Sequence, residues 1–311
     1  MNDELLSRLS QLNRKRLPSH TSQGSGFADC AVRSDVGLPQ EGDEDLSQLP
    51  SGSEIENVWG SHWQRERPID EVWPQGGQWI QQRIERVRHI GNNGKNIKRE
   101  LRALTRALPE RVIYLDLETC GFAGSMVFLI GLVYYQNGRF VLSQLLARNY
   151  AEEKAMLQSL WHKTAGRRVL ATFNGKSFDW PMVHDRSTLH HLGRDMRDSA
   201  SSNEKSTEGD SSEGGEPVPV LNREDPRPEL IHCDLLHHAR RRWKDEFPNC
   251  KLQTLETRIC RRKRTQDIPG REIPAAYHDF VRSGDGWLIR SVLHHNALDL
   301  ITLLQLSFCV V

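Results

Sequence analysis

From residue 111 onward the apolar positions fall into short runs whose period switches between two and about 3.6 residues. Residues 112–118 form a strand-like run and 126–135 a second. Gln136-Asn137-Gly138 is a hairpin turn, and 139–147 form a third strand. Residues 152–163 read as a helix, 168–173 as a fourth strand and 178–192 as another helix. Beyond residue 229, a brief strand at 230–233 precedes helices at 234–244, 252–259, 274–281 and 287–308. Upstream, Trp79, Ile80, Ile84, Val87 and Ile90 recur at helical spacing until Asn92-Asn93-Gly94 breaks the run. Ile97, Leu101, Leu104 and Leu108 mark a second helix, basic outside and ended near Pro109. A hairpin followed by helix and strand predicts an α/β domain, a mixed sheet with helices packed on it.

Two stretches break the pattern. Residues 1–55 and 193–228 are rich in Ser, Gly, Pro and acids, and neither buries enough apolar surface to offset chain entropy. They predict a disordered tail and a disordered insertion, leaving a helical extension over 56–110 and a core domain over 111–308. Trp59, Trp63 and Trp73 either pack on the domain, the favoured reading, or offer stacking surfaces. Hydrophobic residues make up 37% of the chain, which places the deficit in these polar stretches. The N-terminus has no basic segment followed by an apolar core, and no apolar run reaches the ~18 residues of a membrane span. The six cysteines include no Cys-x-x-Cys pair, and His232, Cys233, His237, His238 and Cys250 fit no common zinc spacing. A cytoplasmic protein with reduced thiols is the expectation.

Carboxylates then change the picture, because each of four lies inside an apolar pattern. Asp116 and Glu118 are two apart on a strand and so face the same side. Like charges so close repel unless a cation lies between them, and magnesium suits oxygen ligands of this kind. Asp299 shares the apolar stripe of the last helix with Val292 and Leu303, so it points inward. His295 is one turn earlier on nearly the same face, and His294 lies five positions earlier. Asp179 reads as either a helix-starting residue or a fourth member of the set, and Asp234 as a helix cap.

Leu-Asp-Leu-Glu-Thr at 115–119, Asn-x-x-x-Phe-Asp at 174–179 and His-Asn-x-x-Asp at 295–299 occur in that order. This set resembles the 3′–5′ exonucleases with four acidic residues on a ribonuclease H-like fold. His232-Cys233-Asp234-Leu235-Leu236, Arg240-Arg241-Arg242-Trp243-Lys244, Leu252-Gln253-Thr254-Leu255-Glu256 and the segment 267–274 are similar to linking segments of the YprB ribonuclease H-like family. The resemblance covers residues 111–308. It implies two Mg²⁺ or Mn²⁺ ions: Asp116 bridging both, Glu118 and Asp299 on the catalytic one, and Asp179 on the second. It also implies a general base near Asp299. One exonuclease subclass has His five residues before the last Asp, and the other has Tyr four before it. Both positions are His here, and the His-Asn-x-x-Asp pattern and helix geometry favour His295 over His294.

Net charge is only +1, but cations cluster. Asn174 and Lys176, in the turn before Asp179, join Arg240, Arg241, Arg242, Trp243 and Lys244 as candidate contacts to a nucleic acid, with a single strand or 3′ end the expected partner. Arg258, Arg261, Arg262, Lys263 and Arg264 form a second cluster, and Lys95, Lys98, Arg99, Arg102 and Arg106 a third. The competing readings are a non-catalytic nucleic-acid-binding module and an endonuclease of the wider group.

Overall fold

The computed structural model describes residues 45–121, 124–192, 229–265 and 267–311. The expected insertion and residues 1–44 of the expected tail lie outside the described residues. One sheet organises the rest. Its strands are β1 (Ser53–Asn57), β2 (Gly60–Pro68), β3 (Val112–Thr119), β4 (Val127–Gln136), β5 (Arg139–Leu146), β6 (Val169–Thr172) and β7 (Ile231–Asp234). Their order is β1-β2-β5-β4-β3-β6-β7. The pairs from β1 to β3 are antiparallel, while β6 joins β3 and β7 joins β6 in parallel. This is a mixed sheet with helices on both faces.

The principal helices are α1 (Gly76–Asn93), α2 (Arg99–Ala107), α3 (Glu153–Thr164), α4 (Asp179–Leu189), α5 (Leu235–Trp243), α6 (Ile273–Ser283) and α7 (Trp287–Cys309). Val112 and Tyr114 of β3 pack with α1, α2, α5 and the later turns of α7. Ile113, Leu115 and Leu117 point the other way, into a cluster with α3, α4, α6 and the first turns of α7. Alternation along β3 thus serves two cores, which is why its sequence reads as a continuous apolar run. Tyr114 Oη lies 2.8 Å from Ser307 Oγ, which pins the end of α7 to β3.

One pair of elements departs from the sequence reading, which places no strand before residue 112. The β1–β2 hairpin extends the sheet beyond β5, with Trp63 opposite Leu146 and Pro68 opposite Val141. Its residues are mostly polar because an edge hairpin is held by backbone pairing and needs few buried side chains. The few are His62, whose Nε2 lies 2.8 Å from Ser159 Oγ, and Trp63. Trp63 and Trp73 are buried, and Trp59 carries Lys154 Nζ 3.3 Å over its ring.

Candidate active site

Asp116 and Glu118 project from the carboxyl-terminal half of β3 on the face shared with Val112 and Tyr114. A register shift follows between Glu118 and Thr119. Across the ladder, Asp116 is opposite Gly131 of β4, and Gly131 is opposite Gln144 of β5. Gly131 is there for space. A Cβ at this position would lie 2.1 Å from Asn296 Oδ1, so only glycine lets α7 come this close. Asn296 Nδ2 donates to Asp116 Oδ2 at 2.9 Å, and Gln144 Nε2 donates to Asn296 Oδ1 at 3.1 Å and to Leu293 O at 2.7 Å. Three strands and α7 therefore set the orientation of one carboxylate.

Asp179 is the first residue of α4, and its side chain does not cap the helix. It is buried instead, and the Leu117 backbone, between Asp116 and Glu118, hydrogen-bonds to it. The loop leading to it is held by Asp234, which caps α5 through the Leu236 N–H and also accepts the N–H groups of Asn174 at 2.8 Å and Lys176 at 3.1 Å. Asn174 has φ of 69°, the left-handed conformation that asparagine tolerates.

Around Asp299 the structure assembles groups of which the sequence reading gave a role near the acids to His295 alone. His295 Nδ1 lies 2.8 Å from Asp267 Oδ1, and its Nε2 lies 3.4 Å from Asp299 Oδ2. The Arg264 guanidinium bonds Asp299, and also Asp267 at 3.1 Å and Glu256 at 2.5 Å. Asp267 and Arg264 lie in the irregular stretch after the wide π turn Glu256–Cys260, so no helical or strand period marks them. The predicted His294 is buried with an Nε2 that has no partner among the described residues.

The electrostatics split the acids into two groups. Burial, then repulsion from Asp299, Glu118 and Asp179, holds the Asp116 carboxyl well above its ordinary range. Burial raises Glu118 to about 8 and Asp179 to about 7. Burial acts on Asp299 too, but Arg264 and His295 outweigh it and hold that carboxyl low. Burial disfavours charge on His295, yet its bonds to Asp267 and Asp299 raise it to about 11. His294 has burial without such bonds and falls to about 4. The cations therefore hold the Asp299 and Asp267 carboxyls low, while His295 only partly offsets the desolvation of Asp116 and Glu118, and Asp179, like them, stays raised. An oxygen-only set, buried at Asp179 and half-buried at Asp116 and Glu118, and short of positive charge, fits a divalent cation.

The predicted nucleic-acid contacts fare differently. Trp243 is 1% exposed and packed in the core, so it is not available to stack on a base. Arg240, Arg241, Arg242 and Lys244 are exposed near the far end of α5, about 10 Å or more along the helix from Asp234. Lys176 Nζ is ion-paired with Glu100 at 2.5 Å, which takes it out of the free cations, while Asn174 stays exposed, five residues before Asp179 in the chain. In the second basic cluster, Arg262 is buried against Glu256, Thr302 and Gln305, so it and Arg264 are internal counter-charges. On the other side of the Lys176 loop, ligand atoms of Glu100, Cys233 and His238 lie within 4.8 Å of one another.

No helix among the described residues is long and apolar enough to cross a membrane. A family model described as the RNase_H superfamily matches residues 113–308. The "Uncharacterized protein YprB" of Bacillus subtilis (strain 168) is 32% identical over 198 residues, which cover 63% of this chain and 40% of that protein. The family B DNA polymerase of the hyperthermophilic archaeon Pyrobaculum calidifontis aligns with 64% of this chain and 24% of its own, at 17% identity and a TM-score of 0.43. The span of the family match includes all four motif acids and both histidines, and the chain belongs to the RNase_H superfamily, in its YprB ribonuclease H-like family.

Proposed function

We propose that this chain is a metal-dependent nuclease that hydrolyses DNA or RNA from the 3′ end. One observation carries the reading: Asp116, Glu118 and Asp179 lie desolvated at one site, and the opposing field of His295 on Asp116 and Glu118 does not keep any of the three carboxyls from being raised. Asp116, Glu118, Asp179 and Asp299 would hold two Mg²⁺ or Mn²⁺ ions. Such ions, when bound, activate water and stabilise the leaving oxygen of an in-line displacement at phosphorus.

The chain's own residues supply the rest. Asn296, held by Gln144, fixes the lone pairs of Asp116 by donating to Oδ2. Asp267 holds His295 Nδ1, which aims Nε2 at the Asp299 side of the pocket. His295 Nε2 is the group placed to accept the attacking water's proton; cations held by the carboxylates would weaken the field that keeps it protonated. The water oxygen forms the new bond to phosphorus, and the bond to the 3′ oxygen breaks.

The test is a 5′-labelled single strand with Mg²⁺ or Mn²⁺. A descending ladder, abolished by Asp116→Ala or Asp299→Ala, is expected. One internal product would indicate an endonuclease. The pairing of Arg264 with Asp299 favours a second reading, a non-catalytic binding module, in which this cation permanently replaces one ion. Binding without cleavage across several metals would select it.

A further inference from the structure

Arg99, Arg102 and Arg106 occupy positions i, i+3 and i+7 of α2 and form one stripe about 10 Å long. With Arg111, just before β3, and Arg168, just before β6, they line a cleft of about 860 Å³. Arg99, Arg106, Arg111 and Arg168 are exposed. None of the five pairs with a carboxylate among the described residues: Arg102 donates to Gly94 O at 2.9 Å and Arg106 to Asn92 Oδ1 at 3.0 Å, both neutral acceptors. The acid lining the cleft, Glu110, faces Arg88 at 3.5 Å. The contrast with Arg262 and Arg264, which both pair with the internal acid Glu256, separates this group from structural arginines.

The placement of α2 gives the cleft a direction. Near its start, Glu100 holds Lys176 of the loop that leads to Asp179. Beyond its end the chain passes through Leu108 to Arg111 and into β3. The stripe therefore runs from the acidic end of the parallel strands to their amino-terminal end, where Arg168 and Ile231 sit. Guanidinium groups bind phosphate oxygens bidentately, and at ~3.4 Å per stacked phosphate the stripe matches about three phosphates. Ile97 and Ala103 provide apolar wall between the cations.

We propose that this cleft is a second nucleic-acid site, one that tracks the phosphodiester backbone of a single strand whose 3′ end is at the carboxylates. It rests on the nuclease reading and extends it to the part of the substrate that is not cut. Binding in EDTA tests it separately from cleavage. The full chain is titrated against fluorescein-labelled 20-nucleotide single-stranded DNA and RNA by anisotropy at several salt concentrations. The variant Arg99→Ala/Arg106→Ala/Arg168→Ala should bind at least tenfold more weakly and lower the salt slope by about 2, at ~0.7 per lost phosphate contact. Arg168→Ala alone, an exposed side chain, should weaken binding about threefold and keeps the test decisive if the triple variant misfolds. The DNA and RNA arms tell which backbone the cleft prefers. Binding within twofold of wild type with an unchanged slope overturns the second site, whether or not the wild-type chain cuts with Mn²⁺. A wild-type chain that binds neither strand in EDTA overturns the second site, and the nuclease reading then stands or falls on the cleavage assay with Mg²⁺ or Mn²⁺.

Discussion

Asp267 Oδ1 lies 2.8 Å from Nδ1 of His295, and the two meet across an irregular segment and a helix 28 residues apart. The contact fixes which ring nitrogen is turned toward Asp299. His294, the neighbouring residue, has no comparable partner and points its Nε2 into buried space. The pair of histidines that is ambiguous in sequence is thus unequal in surroundings.

From this follows an order of effects. His295→Ala is expected to reduce single-turnover cleavage by about 10²-fold or more, the usual scale of a lost general base. His294→Ala should cost less than about tenfold. Asp267→Asn should lower kcat with little change in KM and move the pH profile, because it disturbs the imidazole and not substrate binding. Equal losses for both histidines would remove the assignment.

Metal binding should depend on pH in a defined direction. Asp179 and Glu118 have ordinary values of 3.8 and 4.5 and folded values of about 7 and about 8. A raised folded value favours the metal-free fold fully below about pH 4, and the advantage is lost as pH rises through 7 and 8. Cations compete with those protons. The rise in Tm caused by Mg²⁺ or Mn²⁺ should therefore be larger at pH 8.5 than at pH 6, and EDTA should reverse it. His232 and His294, each lowered to about 4, act between pH 6.5 and 4, which overlaps only the acid part of this window. A metal shift that does not change with pH would argue against these ligands.

Gly131→Ala should couple stability to the site. The new methyl meets Asn296 Oδ1 at 2.1 Å and the Leu300 side chain at 2.6 Å. Overpacking of this kind costs about 1–3 kcal/mol, read as a lower urea midpoint. Displacement of Asn296 should also lower activity as much as Asn296→Ala does. Normal activity in Gly131→Ala would show that Asn296 does not need its present position.

Trp243 separates packing from binding. Trp243→Ala should destabilise the fold by about 3–5 kcal/mol in chemical denaturation. Trp243→Phe, which keeps most of the volume, should bind a single strand within twofold of wild type. A large binding loss in the phenylalanine variant, with stability retained, would restore a stacking role.

The order of strands and helices from residue 112 onward was readable, because apolar period and turn residues are local properties. The β1–β2 hairpin was not, since an edge pair needs a neighbour's backbone and shows little apolar alternation. Asp116, Glu118, Asp179 and Asp299 stood out as charges in apolar settings. Asp267 and Arg264 were visible only as part of a family-like segment and of a basic cluster, because the role of a polar residue in an irregular segment is hidden until its partner is known. Trp243 and Arg262 misled for the reverse reason: within a basic run, nothing local distinguishes a side chain that faces inward.

By itself, the amino-acid sequence determined the element order, the four acids and the two candidate histidines, all of which depend on spacing along the chain. Only the tertiary structure decided which charges compensate one another: Arg264 with Asp299, Asp267 with His295, and only a partial offset from His295 for Asp116 and Glu118. Coulomb and hydrogen-bond energies depend on distance through space, and the contact between Asn296 and Asp116 spans 180 positions that no local pattern can connect.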